Sequence, residues 1–110
     1  MKKLKIRYTQ DAVDDLDSIF DYISEDKRTA AGHMLEQIEN SILQLADNPR
    51  MGTVLPTNEL SLVEPGYRRI VVKPYITFYR IGKEEIFISC VLHNRQDWMN
   101  LLFESSYPDE

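Results

Sequence analysis

The chain has 110 residues, of which 43% are hydrophobic and 28% are charged, and its formal net charge at pH 7 is −5. That length is enough for a single domain over residues 1–110 with one hydrophobic core, and it is too short for two cores. No apolar run reaches the roughly 18–20 residues that a membrane helix needs. The start lacks the apolar segment of a signal peptide, and Cys90 is the single cysteine. We therefore expect a protein of the reducing cytoplasm without a disulfide.

The charges are unevenly distributed along the chain. Residues 66–98 carry six Lys or Arg against three acids, whereas residues 11–26 carry seven acids. Proteins that depend on phosphate contacts usually have a basic balance. Nucleic acid is therefore disfavoured as the main ligand, although residues 66–98 could still present a local basic face.

Residues 3–8 alternate in polarity and predict a first strand with Leu4, Ile6 and Tyr8 on one face. Thr9 is a candidate N-cap for the helix that follows. The spacing predicts this helix over residues 10–25, with an apolar face made of Val13, Leu16, Ile19, Phe20 and Ile23. The acids between these positions are interpreted as a solvated face, because no His or Cys joins them to make a metal site.

A second helix is predicted over residues 27–47, with Asp26 as a candidate N-cap. Its apolar stripe steps by three and four residues and consists of Ala31, Leu35, Ile38, Ile42 and Leu45. Asn48-Pro49 ends the helix, because the residue before a proline is pushed out of the helical region. The two helices should form an antiparallel hairpin, and His33, off the stripe, should face solvent.

Residues 48–66 read as a long loop rich in Pro and Gly, with room for one short strand or turn. Three strand patterns follow at residues 67–73, 75–81 and 86–92. Their short connections require antiparallel pairing in a meander. Residues 97–104 are predicted to form a closing turn of helix.

The predicted fold is α+β with the order β-α-α-β-β-β. The helical hairpin packs on one face of a small, mostly antiparallel twisted sheet and leaves the other face open. In the last strand, the more continuous apolar face is assigned to the helices; it contains Ile86, Ile88, Cys90 and Leu92. Alternation then directs four residues to the open face: Phe87, Ser89, Val91 and His93. Cys90 is interpreted as a small buried hydrophobe.

Candidate functional residues gather on the strands after residue 66 and at the end of the last one. No phosphate-binding glycine loop, zinc-binding spacing or serine elbow is present, so we expect neither a cofactor nor a metal. The remaining candidates are Arg68, Arg69, Tyr75, Tyr79, Arg80, His93, Arg95, Asp97 and Trp98. Three alternatives stay open for them: phosphate chemistry by arginine, a structural Arg95–Asp97 network, and a protein contact anchored by Trp98.

Three runs of the sequence resemble toxins of the RelE/ParE superfamily from bacterial type II toxin–antitoxin systems. They are YRRIVV at 67–72, PYITFYRI at 74–81 and VLHNRQDW at 91–98. A D-L-x-x-I-x-x-Y-I pattern beginning at Asp15 and an L-x-x-x-P-x-x-G element ending at Gly52 fit as well. The resemblance covers nearly the whole chain, and the L-H-x-R-x-D segment within the last run is its most specific part.

The resemblance implies one of two activities. RelE-like toxins cut messenger RNA on the ribosome, whereas ParE-like toxins poison DNA gyrase without cutting RNA. The ribonucleases tend to carry an arginine where this chain has Ile76, alternating lysines where Arg68 is followed by Ile70, and a tyrosine or histidine near Leu101. Only Arg95 matches a ribonuclease position well, so the resemblance favours the ParE-like branch. The alternatives are a non-toxic antitoxin-binding domain and a ribonuclease with the catalytic set Arg95, Arg68 and His93.

The resemblance also implies a cognate antitoxin as partner. Such antitoxins wrap the toxin with a helix and an extended segment, so the helical hairpin and an open sheet edge are the expected docking places. Because these antitoxins frequently dimerise through a DNA-binding domain, toxin–antitoxin hetero-oligomers are expected.

Overall fold

The computed structural model describes residues 3–55 and 66–96, which form two helices and a five-stranded sheet. The elements are β1 (Lys5–Tyr8), α1 (Gln10–Ser24), α2 (Arg28–Gln44), a 3₁₀ turn (Pro49–Met51), β2 (Thr53–Val54), β3 (Tyr67–Val72), β4 (Tyr75–Ile81) and β5 (Glu85–His93). The sheet order is β1-β5-β4-β3-β2, with β1 parallel to β5 and the other pairs antiparallel. This confirms the α+β fold and the meander of β3, β4 and β5. The predicted helix at 97–104, with Asp97, Trp98 and Leu101, lies outside the described residues.

Helix α1 begins at the predicted cap. The Thr9 hydroxyl accepts a hydrogen bond from the Ala12 N–H at 3.1 Å and donates one to the Ser89 carbonyl at 2.8 Å. Thr9 therefore satisfies a free amide of the helix and ties that helix to β5 at the same time. The buried face starts at Ala12, not at Val13, which is 40% exposed. The predicted stripe was thus wrong by one position at its first residue.

Helix α2 begins at Arg28, and its N-cap position is Lys27, whose side chain makes no capping hydrogen bond. The predicted Asp26 cap is wrong, because the Asp26 and Lys27 amides still donate to the Ile23 carbonyl and close the end of α1. The buried stripe is confirmed, with Leu35 partly buried and Ala31, Ile38, Ile42 and Leu45 fully so. His33 is exposed, as predicted.

A β-bulge in β5 overturns the predicted facing of its last residues. Ile88 pairs with Tyr79 and Cys90 pairs with Phe78, so Ser89 is an extra residue between two consecutive partners. The extra residue reverses the alternation beyond it. Ile86 and Ile88 face the helices as predicted. The assignment of Cys90 and Leu92 to that face is wrong, and so is the assignment of Val91 and His93 to the open face.

The sheet buries apolar side chains on both faces. The helix-side cluster includes Ile86, Ile88 and Val91, packed against α1 and α2. The second-face cluster consists of Leu55, Tyr67, Ile76, Phe78, Cys90 and Leu92. The predicted open second face is therefore wrong over this area. Cys90 is only 2% exposed, which confirms it as a buried hydrophobe, and burial raises the pKa of its thiol above the ordinary range.

Strand β1 forms one edge of the sheet. It pairs with β5 only from Lys5 to Tyr8, opposite Glu85 to Ile88. Arg7 and Glu85 form an ion pair across this short ladder. Beyond β1, α1 takes over as the neighbour of β5, and this arrangement positions the site described below. Within residues 3–55 and 66–96, neither helix is long and apolar enough to cross a membrane.

Candidate functional site

The turn after α2 is held by a tyrosine from the centre of the sheet. The Tyr79 hydroxyl donates a hydrogen bond to the Pro49 carbonyl at 2.7 Å and accepts one from the Gly52 N–H at 2.9 Å. Tyr79 is fully buried, and burial raises the pKa of its hydroxyl. The Pro-x-x-Gly element of the sequence is thus the segment that this hydroxyl fastens to the sheet.

Arg68 reinforces the same turn. Its guanidinium donates to the Gly52 carbonyl at 2.8 Å and approaches the Arg50 carbonyl at 3.4 Å. The sequence predicts that Arg68 contacts a target or partner, and only the ribonuclease alternative gives it a catalytic role. The structure places its charged end on backbone carbonyls of a turn.

A second set of candidates meets at the end of β5. His93 pairs with Tyr75 across the ladder, and their rings contact edge to face with centroids 5.4 Å apart. The chain then turns: the His93 N–H donates to the Gln96 side-chain oxygen at 2.7 Å, and the Gln96 N–H donates to the His93 carbonyl at 2.9 Å. The Arg95 N–H donates to His93 Nδ1 at 3.0 Å. Because Nδ1 accepts this bond, the neutral imidazole carries its proton on Nε2.

These residues line a pocket of about 380 Å³ against α1, and we name it the α1–β5 pocket. Its walls are Ser18, Ile19, Tyr22, Tyr75, His93 and Arg95. Burial, and then the neighbouring Tyr22, raise the pKa of the Tyr75 hydroxyl. Residues from α1 were not among the sequence candidates, because only the bulge at Ser89 turns the end of β5 toward the helix.

Asp15 closes the edge of β5 next to this pocket. Its carboxylate accepts a hydrogen bond from the Val91 N–H at 3.0 Å, beyond the point where β1 ends. Burial raises the pKa of Asp15 to about 6 against the lowering effect of that bond, and Asp11 and Asp14 add to the rise. The sequence interpretation placed Asp15 on the solvated acidic face. The D-L-x-x-I-x-x-Y-I pattern that it opens was the signal of its special position.

The other candidates lie elsewhere on the sheet. Arg80 lies over the Tyr67 ring at 5.2 Å, and Arg69 pairs with Phe78 and Thr53. Arg68 pairs with Tyr79, four positions along β4 from the partner of His93. Four residues span about 13 Å along a strand, and two strand spacings add about 10 Å across the sheet. The structure therefore brings Tyr75, His93 and Arg95 together and leaves the three other arginines apart from them.

Comparison with known proteins identifies the family. The sequence model of the ParE toxin of type II toxin–antitoxin systems, parDE, matches residues 6–98. The candidate toxin Y4kP of Sinorhizobium fredii is 33% identical over 105 residues, which are 93% of this chain and 100% of that protein. This chain belongs to the ParE toxin family. It is thus a toxin of a type II toxin–antitoxin module, and the superfamily resemblance is confirmed.

Solved structures share the fold of this ParE-family toxin. The chromosomal ParDE system from P. aeruginosa superposes with a TM-score of 0.67 at 22% identity, over 83% of this chain and 96% of that one. The RelBE2 toxin–antitoxin complex from Mycobacterium tuberculosis superposes with a TM-score of 0.60 at 25% sequence identity, over 84% of this chain and 93% of that one. A mutant of E. coli RelE in the free state superposes with a TM-score of 0.65 at 10% sequence identity, over 98% of this chain and 100% of that one. The same fold thus occurs in structures of a ParDE system, of a RelBE2 complex and of RelE.

Proposed function

We propose that this ParE-family toxin arrests growth by binding DNA gyrase and does not cut RNA. The observation that carries the proposal is the dispersal of the groups that a ribonuclease would have to bring together. Ile76, which stands where the ribonucleases tend to have arginine, is buried in the second-face cluster. Arg68 is held by turn carbonyls, far along the sheet from His93 and Arg95.

The chemistry of the α1–β5 pocket supports a binding role. Attack by an RNA 2′-hydroxyl needs a base to accept its proton and cations to stabilise the charge that develops on phosphate. Because His93 Nδ1 accepts the Arg95 N–H, the neutral ring must carry its proton on Nε2, and neither nitrogen then presents an unoccupied lone pair to a substrate. Of the pocket-lining residues that the structure describes, Arg95 alone carries a permanent charge.

The charge distribution points in the same direction. The net charge is −5, and Asp11, Asp14, Asp17 and Asp21 are exposed along α1. A ribosome presents a dense phosphate surface that such a protein would repel. A protein target does not impose this cost over its whole surface.

The proposal includes a cognate antitoxin that neutralises the toxin within a hetero-oligomer. The solved ParDE and RelBE2 neighbours are toxin–antitoxin assemblies, as their names state. In this chain, an apolar groove of about 510 Å³ lies beside β1 and is lined by Tyr8, Val13, Leu16, Asp17, Phe20, Leu35 and Glu39. It fits the apolar face of an amphipathic helix, and the adjoining outer edge of β1 fits an extended segment.

Induced expression in a bacterial host tests the proposal. We expect growth arrest, gyrase-dependent relaxation or breakage of a reporter plasmid, and intact messenger RNA by primer extension. New cuts in ribosome-bound messages that disappear in the Arg95→Ala variant would contradict it and support the ribonuclease alternative. Unimpaired growth at high toxin levels would also contradict it, in favour of a non-toxic antitoxin-binding domain.

A further inference from the structure

The α1–β5 pocket surrounds one positive charge with hydrogen-bond donors. Hydroxyl groups come from Ser18, Tyr22 and Tyr75, and the imidazole of His93 keeps a proton on Nε2 because its Nδ1 accepts the Arg95 amide. Among the described residues 3–55 and 66–96, no carboxylate lines the pocket. This donor set is suited to an anionic group, because charge-assisted hydrogen bonds are the stronger ones.

Arg95 is available for such a contact. The turn that carries it is fixed by backbone amides: Asn94 donates to the Pro74 carbonyl, and Gln96 donates to the His93 carbonyl. The Arg95 residue itself is exposed, and within residues 3–55 and 66–96 no ion pair involves its guanidinium. The backbone is therefore preorganised, while the charged end can still reorient toward a ligand.

The rest of the pocket is apolar. Ile19 and the two tyrosine rings form its walls, and Tyr22 is 68% exposed. A large aromatic side chain that projects into solvent beside an arginine is a common composition of energetically dominant protein contacts. A ligand that fits this pocket combines one negative charge with an apolar side chain.

The acids around the pocket favour a ligand with a single carboxylate over a ligand with many phosphates. Asp14 and Asp21 are exposed on α1 at helical spacing from Ser18, so they neighbour the pocket rim. A nucleic acid strand would bring further phosphates past these acids and be repelled. One carboxylate on a protein segment meets only Arg95 and the donors beside it.

We propose that the α1–β5 pocket binds a single Asp or Glu carboxylate of a protein partner, flanked by an apolar side chain that packs against Tyr22. This inference does not depend on gyrase being the target, since the pocket would serve any protein partner with this pair of side chains. Its recognition elements are the Arg95 charge, the His93 Nε2–H and the tyrosine rings.

Titration followed by NMR of the histidine rings tests the proposal on the full chain. The chain has two histidines, and the exposed His33 on α2 is an internal control. The ligand is the blocked tripeptide Phe-Asp-Phe, and the matched control is the neutral Phe-Asn-Phe. With Phe-Asp-Phe we expect saturable shifts of the His93 signals and unchanged His33 signals. The affinity for Phe-Asn-Phe should be lower by about tenfold or more.

A pair of arginine variants tests the source of the charge. Arg95→Gln keeps the backbone amide that donates to His93, and we expect it to weaken Phe-Asp-Phe binding about tenfold. Arg50→Gln removes an equal charge from an exposed position in the turn after α2 and should leave the affinity unchanged. Equal affinity of the two peptides, or equal effects of the two variants, would overturn the proposal. Tighter binding of a thymidine octanucleotide than of Phe-Asp-Phe would also overturn it and assign the pocket to nucleic acid.

Discussion

At the scale of single residues, Gly52 is the clearest case of one atom deciding a structure. A Cβ at this position would lie 2.5 Å from the Tyr79 hydroxyl oxygen and 2.6 Å from the Arg69 carbonyl. Both obstacles are fixed, because the tyrosine is buried and the carbonyl belongs to β3. The glycine is therefore required for close approach of the turn to the sheet.

We expect Gly52→Ala to destabilise the fold by about 1–3 kcal/mol, the usual cost of overpacking. Gly32→Ala is the matched control, because Gly32 lies in α2 and a Cβ at this position would have no neighbouring atom within 4 Å. It should stabilise the protein by about 0.5–1 kcal/mol through higher helix propensity. Urea denaturation of both variants measures the two free energies of unfolding. Equal stabilities would contradict this account of the turn.

Asp15 gives the fold a defined pH dependence. Its pKa is raised from 3.8 to about 6 in the folded state, so the fold favours the protonated carboxyl. The stability from this preference is fully present below pH 3.8 and is lost as the pH rises through about 6. Asp15→Asn keeps an acceptor for the Val91 N–H without a charge. We expect its stability relative to wild type to increase from pH 4 to pH 7 in urea denaturation. A constant difference would show that Asp15 does not titrate in this way.

At the scale of elements, β5 determines where the candidate site forms. Its bulge at Ser89 leaves Ile86 and Ile88 on the helices and directs Cys90 to the opposite face. Side chains close its edge beyond β1: Thr9 donates to Ser89, and Asp15 accepts from Val91. Such closure removes an exposed ladder that could otherwise pair with another chain.

The Thr9 hydroxyl joins α1 to this bulge, and its loss should therefore cost more than a simple cap. We expect Thr9→Ala to lose about 1–2 kcal/mol, since an N-cap and a bond to the Ser89 carbonyl disappear together. Thr9→Ser retains the hydroxyl and should lose much less. Thermal or urea unfolding distinguishes the two, and an equal loss in both variants would mean that the threonine methyl, not the hydroxyl, matters.

At the scale of the whole molecule, the fold followed from local patterns and the site did not. Apolar spacing predicted α1 to within one residue of its observed end, and short turns predicted the meander. The same alternation gave the wrong face for Cys90. Ile86, Ile88, Cys90 and Leu92 fit a regular strand, and a pattern of alternating residues cannot reveal that a bulge inserts one extra residue. The sequence indicates burial on both faces of β5 only through the consecutive apolar residues 90–92, all of which are buried. The α1–β5 pocket depends on that bulge, so its helical wall could not be predicted from strand residues alone.

We propose that this ParE-family toxin acts by binding gyrase. The most direct test is a supercoiling assay with purified gyrase, relaxed plasmid and the refolded full chain at micromolar concentration. We predict loss of supercoiling with the wild-type chain and recovery on addition of the cognate antitoxin. Undisturbed supercoiling by a chain that is folded by circular dichroism and that arrests growth when expressed would contradict the claim.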